Sequence, residues 1–256
     1  MKNKSFDWRP WFIPVTLIAI WEVIVRLQLV SESLFPSPIS ILLKGWELLI
    51  SGELLTHISA SLARALLGML IGGLIGFILG IANGLSEKSY AFIDSTVQMI
   101  RNVPHLALLP LVIVWLGIGE GAKVFLVALG VMFPIYVNTF HGIRNVDQGL
   151  VEMGKMYGLS GWRLFKDLLF PGALPSIFVG LRYALGVMWL TLIVAETIPT
   201  QVGIGYLATN AREFMQTDVI ILSIVIYALL GKLADMIAQL GENRALKWNA
   251  GYNKQL

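Results

Sequence analysis

Residues Ala65–Ser86 form a run of 22 positions without one charged side chain. In hydrocarbon every backbone polar group must be satisfied inside the segment, so a crossing element is a helix of about 20 mainly apolar residues. Asn102–Gly119 and Val124–Ile143 are also uncharged, and Leu168–Ala195 is interrupted only by Arg182. Two further stretches are less pure. Trp11–Val30 carries Glu22 and Arg26, four apart and able to pair on one helix face, and Val219–Leu240 takes up Lys232 and Asp235 in its second half. The pattern predicts an all-α membrane protein with six transmembrane helices. The spans fall at about 11–30, 62–86, 102–119, 124–143, 172–195 and 219–240 of a single domain covering 1–256.

Composition excludes the alternatives. Hydrophobic residues are 56% of the chain and charged residues 14%, against about 25% charged in an average soluble domain. There is no cysteine, hence no disulfide framework or thiolate metal site, and three scattered histidines form no H-E-x-x-H motif. A net charge of +3, dispersed along the chain, gives no nucleic-acid footprint. The first apolar stretch is full length and holds a charge pair, so it is expected to stay as an anchor rather than be cleaved as a signal peptide.

Loop charges orient the spans. Lys2, Lys4 and Arg9 outweigh Asp7 before the first span, the C-terminal tail is basic, and His141–Asp167 carries Arg144, Lys155, Arg163 and Lys166. The segments 31–56 and 196–218 are acidic on balance. Lysine and arginine excess marks the cytoplasmic side, which predicts that both termini and the 144–171 loop are cytoplasmic.

Several intramembrane features stand out. Gly68, Gly72, Gly76, Gly80 and Gly84 recur every four residues, a ridge suited to close helix packing and compatible with a sliding interface. Pro104, Pro110 and Pro134 lie in apolar runs and should kink or interrupt them. Arg182 falls about 16 Å along a helix counted from Pro171, near the middle of a ~30 Å core, so it must face protein or a wet cavity. It could pair internally or meet a passing anion. Asn138, Trp189 and Glu196 join it as candidate pathway residues.

Gly149–Met156 contains most of a phosphate-loop pattern, but it lacks the closing Ser or Thr and no strand precedes it, so nucleotide binding by this chain is not expected. No nucleophile, base and acid come together in a catalytic motif. The surrounding segment is more informative. Leu150, Val151, Met153 and Tyr157 recur at helical spacing, Gly158 and Gly161 sit where a helix would end, and Leu164, Phe165, Leu168 and Leu169 resume the pattern before Pro171. On physics alone this is a helix, a turn and a second helix at the membrane surface, either unpartnered or a docking element for a cytoplasmic protein.

Glu152, five residues, Gly158, nine residues, then Leu168-x-Phe170-Pro171 resembles the EAA loop of ABC importer permeases, E-A-A-x3-G-x9-I-x-L-P. Met153 and Gly154 stand where that motif has alanines, and Leu168 and Phe170 are apolar stand-ins. Met99–Pro110, Phe133–Asn138, Pro171–Pro175 and Trp189–Glu196 are similar to the nitrate/sulfonate/taurine branch of these permeases, and within it to the aliphatic sulfonate permeases. The resemblance implies a type I (MetI-like) permease fold that does no covalent chemistry and binds no cofactor of its own. ATP and magnesium would belong to two cytoplasmic ATPase subunits docked on the coupling residues Glu152, Met153, Gly154, Tyr157, Gly158, Leu168 and Pro171. It further implies a permease homodimer, an extracytoplasmic solute-binding protein and residence in the bacterial inner membrane. Taurine, nitrate, bicarbonate and thiamine-precursor pyrimidines are the other solutes of the branch. A secondary transporter is disfavoured, because no inverted repeat of broken helices is evident.

Overall fold

The computed structural model describes residues 9–249. The terminal charges Lys2, Lys4 and Asp7 and the end of the basic C-terminal tail lie outside them. The elements in chain order are α1 (Arg9–Arg26), α2 (Pro38–Ile50), α3 (Glu53–Leu85), α4 (Glu87–Arg101), a 3-10 turn (His105–Leu108), α5 (Leu109–Leu116) and α6 (Glu120–Arg144). After these come α7 (Gln148–Met156), α8 (Gly161–Leu164), a π turn (Phe165–Leu169), α9 (Phe170–Ala195), α10 (Ile204–Glu213) and α11 (Thr217–Ala245).

Among the described residues, four helical stretches are long and apolar enough to cross a bilayer: Glu53–Leu85, Glu120–Arg144, Gly161–Ala195 and Thr217–Ala245. Glu87–Arg101 with His105–Leu116 makes a fifth if the pair, bent by 78°, counts as one broken span. The expected span at 102–119 is therefore corrected. Pro104 has no N–H to continue a helix, Asn102 caps α4, and the chain restarts as a 3-10 turn at His105. Beyond that turn α5 has only eight residues, about 12 Å of helix, and cannot cross alone. Counted as one span, the bent pair begins at Glu87, on an amphipathic helix with Val97 as its one buried side chain. The first expected span, 11–30, shortens to a helix ending at Arg26, and its 18 residues cover about 27 Å. The second lengthens to 33 residues, because the polar turns before Arg64 are helical too.

α6 is the central element. More than half of its apolar window is buried within the chain, the highest share of the four stretches. The glycine ridge of α3 lies against it. A Cβ on Gly72 would stand 2.0 Å from the Ala128 carbonyl oxygen, and one on Gly76 2.3 Å from that of Met132. Gly68, Gly80 and Gly84 meet Val127, Thr139 and Ile143 in the same way. The ridge is thus a close-packed seam along the C-terminal half of α3. α9 closes on the other side of α6, where Gly180 faces Asn138 and Gly142 faces Ser176 and Ala173.

Polar side chains, some buried and some exposed, tie the helices together at both ends of the bundle. At one end Arg64 of α3 donates through Nε and Nη2 to Glu120 at the start of α6, and through Nη1 (2.6 Å) to Glu196 at the end of α9. At the opposite end Arg144, the last residue of α6, pairs with Glu87 at the start of α4 (3.0 Å). There Tyr136 also donates to Asp94 (2.6 Å) and accepts from the Asn83 amide (2.8 Å). The 148–169 segment lies at this second end, because α6 delivers the chain to it and α9 takes the chain away.

Candidate functional site

The turn-and-helix segment begins with Asp147, whose carboxylate accepts from the N–H groups of Gly149 (2.7 Å) and Leu150 and so caps α7. α7 ends in a Schellman motif. Gly158 is left-handed at φ +82°, its N–H donates to the Lys155 carbonyl (2.9 Å), and the Leu159 N–H reaches the Gly154 carbonyl (3.0 Å). Gly154 is buried, and a Cβ there would lie 2.9 Å from Leu168 Cδ1. Leu168 therefore roofs α7 at its buried glycine, which joins the two halves of the segment into one unit. Pro171 cannot donate to the carbonyl four residues back, and the wider π turn at Phe165–Leu169 absorbs the mismatch while the helix continues into α9.

The apolar residues of α7 do not share one face. Val151 and Gly154 pack inward, whereas Leu150, Met153, Met156 and Tyr157 point outward. Met156 and Tyr157 are each 82% exposed, and Trp162 beyond the turn is 71% exposed. Glu152 is exposed beside them. A cluster of large exposed apolar side chains of this kind is a contact surface, of the sort that meets another protein or a membrane. Glu152, Met153, Gly154, Tyr157, Gly158, Leu168 and Pro171 thus lie in one compact unit, with Glu152, Met153 and Tyr157 outward and Gly154 and Leu168 holding its inner joint.

The candidate pathway residues do not come together. Glu196 is 1% exposed, and its carboxylate accepts from Arg64, Ser61 Oγ (2.7 Å), Tyr227 Oη (2.8 Å) and the Gly205 N–H (2.8 Å). This hub ties α3, α9, α10 and α11 together; its carboxylate is buried, while Arg64 borders a cleft with Glu120, Lys123 and Thr200. Removing one partner of such a buried pair typically costs about 3–5 kcal/mol. Trp189 is buried edge-on against Tyr227. Arg182 is committed to Asp235 (2.8 Å) and Glu242 (3.3 Å) on α11. Asn138 alone borders a cleft, its amide nitrogen donating to the Pro134 carbonyl (2.9 Å). The Arg64–Glu196 hub escapes a reading of uncharged runs because both residues bound such runs. A signal for it exists nonetheless: a cation closing one span and an acid closing another at the same end of the bundle.

The pairing of Arg182 makes a test. Glu242 is almost fully buried, so Arg182→Gln leaves it without a strong cation partner. The variant is expected to lower the amount of assembled protein recovered from membranes several-fold, with Arg182→Lys intermediate. Wild-type recovery of the Arg182→Gln protein would show that the pairs do not support assembly.

A family model described as the binding-protein-dependent transport system inner membrane component matches residues 72–247, from the middle of α3 through α11. The chain belongs to this family. It is 58% identical over 95% of its length, and 93% of the relative's, to the Escherichia coli protein named for aliphatic sulfonates transport, SsuC. It is 42% identical to the Bacillus subtilis protein of the same name, covering 98% of this chain and 91% of that one. The taurine transport system permease TauC of Escherichia coli is 34% identical over 91% of this chain and 86% of its own. Among solved structures, an amino acid ABC transporter chain superposes with a TM-score of 0.63 at 20% identity, covering 79% of this chain and 96% of that one. A chain of the MetNI methionine transporter gives 0.53 at 18%, covering 75% and 95%. These likenesses show the MetI-like all-helical permease fold, and family membership makes the chain a membrane subunit without chemistry of its own.

Proposed function

We propose that this chain is the permease of an ATP-driven importer of aliphatic sulfonates. Two copies would form the pathway, with the α7–α8 surface seated on cytoplasmic ATPase subunits that bind ATP and magnesium. A solute-binding protein would deliver its cargo at the opposite end, beside α2 and α10. α1 crosses the bilayer as the sixth span in this reading, which leaves both chain termini on the cytoplasmic side with the basic loop. The observation that carries the substrate is the 58% identity to a relative named for aliphatic sulfonates, against 34% to one named for taurine. The coupling role rests on the Schellman-capped α7 with its exposed Met156, Tyr157 and Trp162.

A strain lacking this gene is expected to lose uptake of ethanesulfonate and to keep that of taurine and nitrate, and the cloned gene should restore the loss. Unchanged ethanesulfonate uptake in the deletion strain would contradict the assignment. In the same strain, a cysteine at position 53 should react with an impermeant thiol reagent added outside, and one at position 155 should not. The reverse pattern would overturn the orientation.

A further inference from the structure

A cleft of about 340 Å³ opens between α6 and α9 beside the break at Asn102–Pro104. Its size falls at the lower end of the roughly 300–1,000 Å³ typical of ligand pockets. Arg101, His105, Asn138 and Tyr183 line it, and none of the lining residues is a carboxylate. Arg64, Arg144 and Arg182 are each paired with an acid, whereas Arg101 is exposed and its guanidinium has no ion pair or hydrogen bond among the described residues. His105 is held in place, since its Nε2 lies 3.0 Å from Thr191 Oγ1 of α9. Gly130 leaves the room for that contact, because a Cβ there would lie 3.0 Å from His105 Nε2 and 2.9 Å from Thr191 Oγ1. Phe133, Val137 and Val187 give the cleft an apolar wall.

We propose that this cleft receives the sulfonate head of the solute in transit, with Arg101 as its charge partner and Tyr183 as a second donor. The proposal rests on the reading of the chain as a sulfonate permease. A sulfonate has one negative charge spread over three acceptor oxygens, which suits the planar fork of a guanidinium, and a short alkyl tail suits the Phe133–Val137–Val187 wall. A conducting site must bind well enough to be entered and weakly enough to be left. One unpaired cation in an open cleft meets that requirement. Arg182 does not, because Asp235 and Glu242 engage its Nε and Nη1 and would repel an anion.

The test compares ethanesulfonate uptake per assembled transporter complex in wild type, Arg101→Gln, Arg101→Lys and Tyr183→Phe. Arg101→Gln should lower uptake about tenfold, the worth of one charge-assisted hydrogen bond, and Arg101→Lys should keep about a third. Normal uptake by Arg101→Gln alongside a transporting wild type would overturn the proposal and leave the permease assignment standing. A wild type that carries taurine or nitrate instead would overturn the sulfonate assignment, and the same variants measured with that anion would then decide the cleft. Should Arg101→Gln fail to assemble, Arg101→Lys and Tyr183→Phe decide it. A roughly threefold loss in each at normal assembly supports the site, and wild-type rates in both overturn it.

Discussion

Gly72→Ala is expected to remove most of the folded permease from the membrane, although it adds a single methyl group. The added carbon would fall 2.0 Å from the Ala128 carbonyl oxygen and 2.7 Å from the Ala128 Cα. Neither atom belongs to a side chain that could turn aside, so α3 and α6 would have to separate along their seam. Overpacking a core typically costs about 1–3 kcal/mol, and a clash with backbone belongs at or above the top of that range. A loss of that size lowers abundance several-fold or more. Gly186→Ala is the matched control: it makes the same substitution on α9, where nothing lies within 4 Å of the new carbon. Size-exclusion chromatography of detergent extracts should show Gly186→Ala at wild-type level and Gly72→Ala nearly absent. Equal recovery of the two would mean that the seam is not as tight as described.

Gly158→Val is expected to abolish uptake while the protein still inserts. With φ at +82° and no atom within 4 Å of a Cβ, the whole effect is backbone strain from a β-branched residue in the left-handed region. Relieving the strain unwinds the Schellman motif and releases Leu159 and Leu168 from Gly154, so Met156 and Tyr157 lose their fixed placement. No spanning helix is touched. Gly158→Ala carries a smaller strain, about 1–2 kcal/mol, and should retain part of the activity. ATPase subunits should co-purify in reduced amount with Gly158→Val, and wild-type uptake by that variant would remove the coupling role from this turn.

The seam and the coupling turn differ in how they can be read from sequence. α3, α6, α9 and α11 are legible because lipid demands long uncharged runs, and Ala65–Ser86 meets that demand without exception. The bent pair Glu87–Arg101 and His105–Leu116 is not, because α4 is amphipathic and its polar residues belong to no apolar run. The first turns of α3 escape for a related reason. His57 and Ser61 fall before the expected span and Arg64 near its edge, and nothing in the sequence shows that α10 and Glu196 bury them. In the 148–171 segment the helix-ending Gly158 and the helix-opening Pro171 are legible, since both are backbone requirements that fix residue type, but apolar spacing does not separate the inward Val151 from the outward Leu150, Met153 and Tyr157. The cleft at Arg101 is not, because it depends on which arginines find acids across the bundle, and sequence separation hides that.

The most direct measurement is ATP-dependent uptake of labelled ethanesulfonate into proteoliposomes holding this chain, its ATPase subunits and its solute-binding protein. Accumulation should require ATP and both partners, and it should disappear when Gly158→Val replaces the wild-type chain. Accumulation that proceeds with this chain alone, without ATP or the ATPase, would contradict the account and identify a transporter driven by other means.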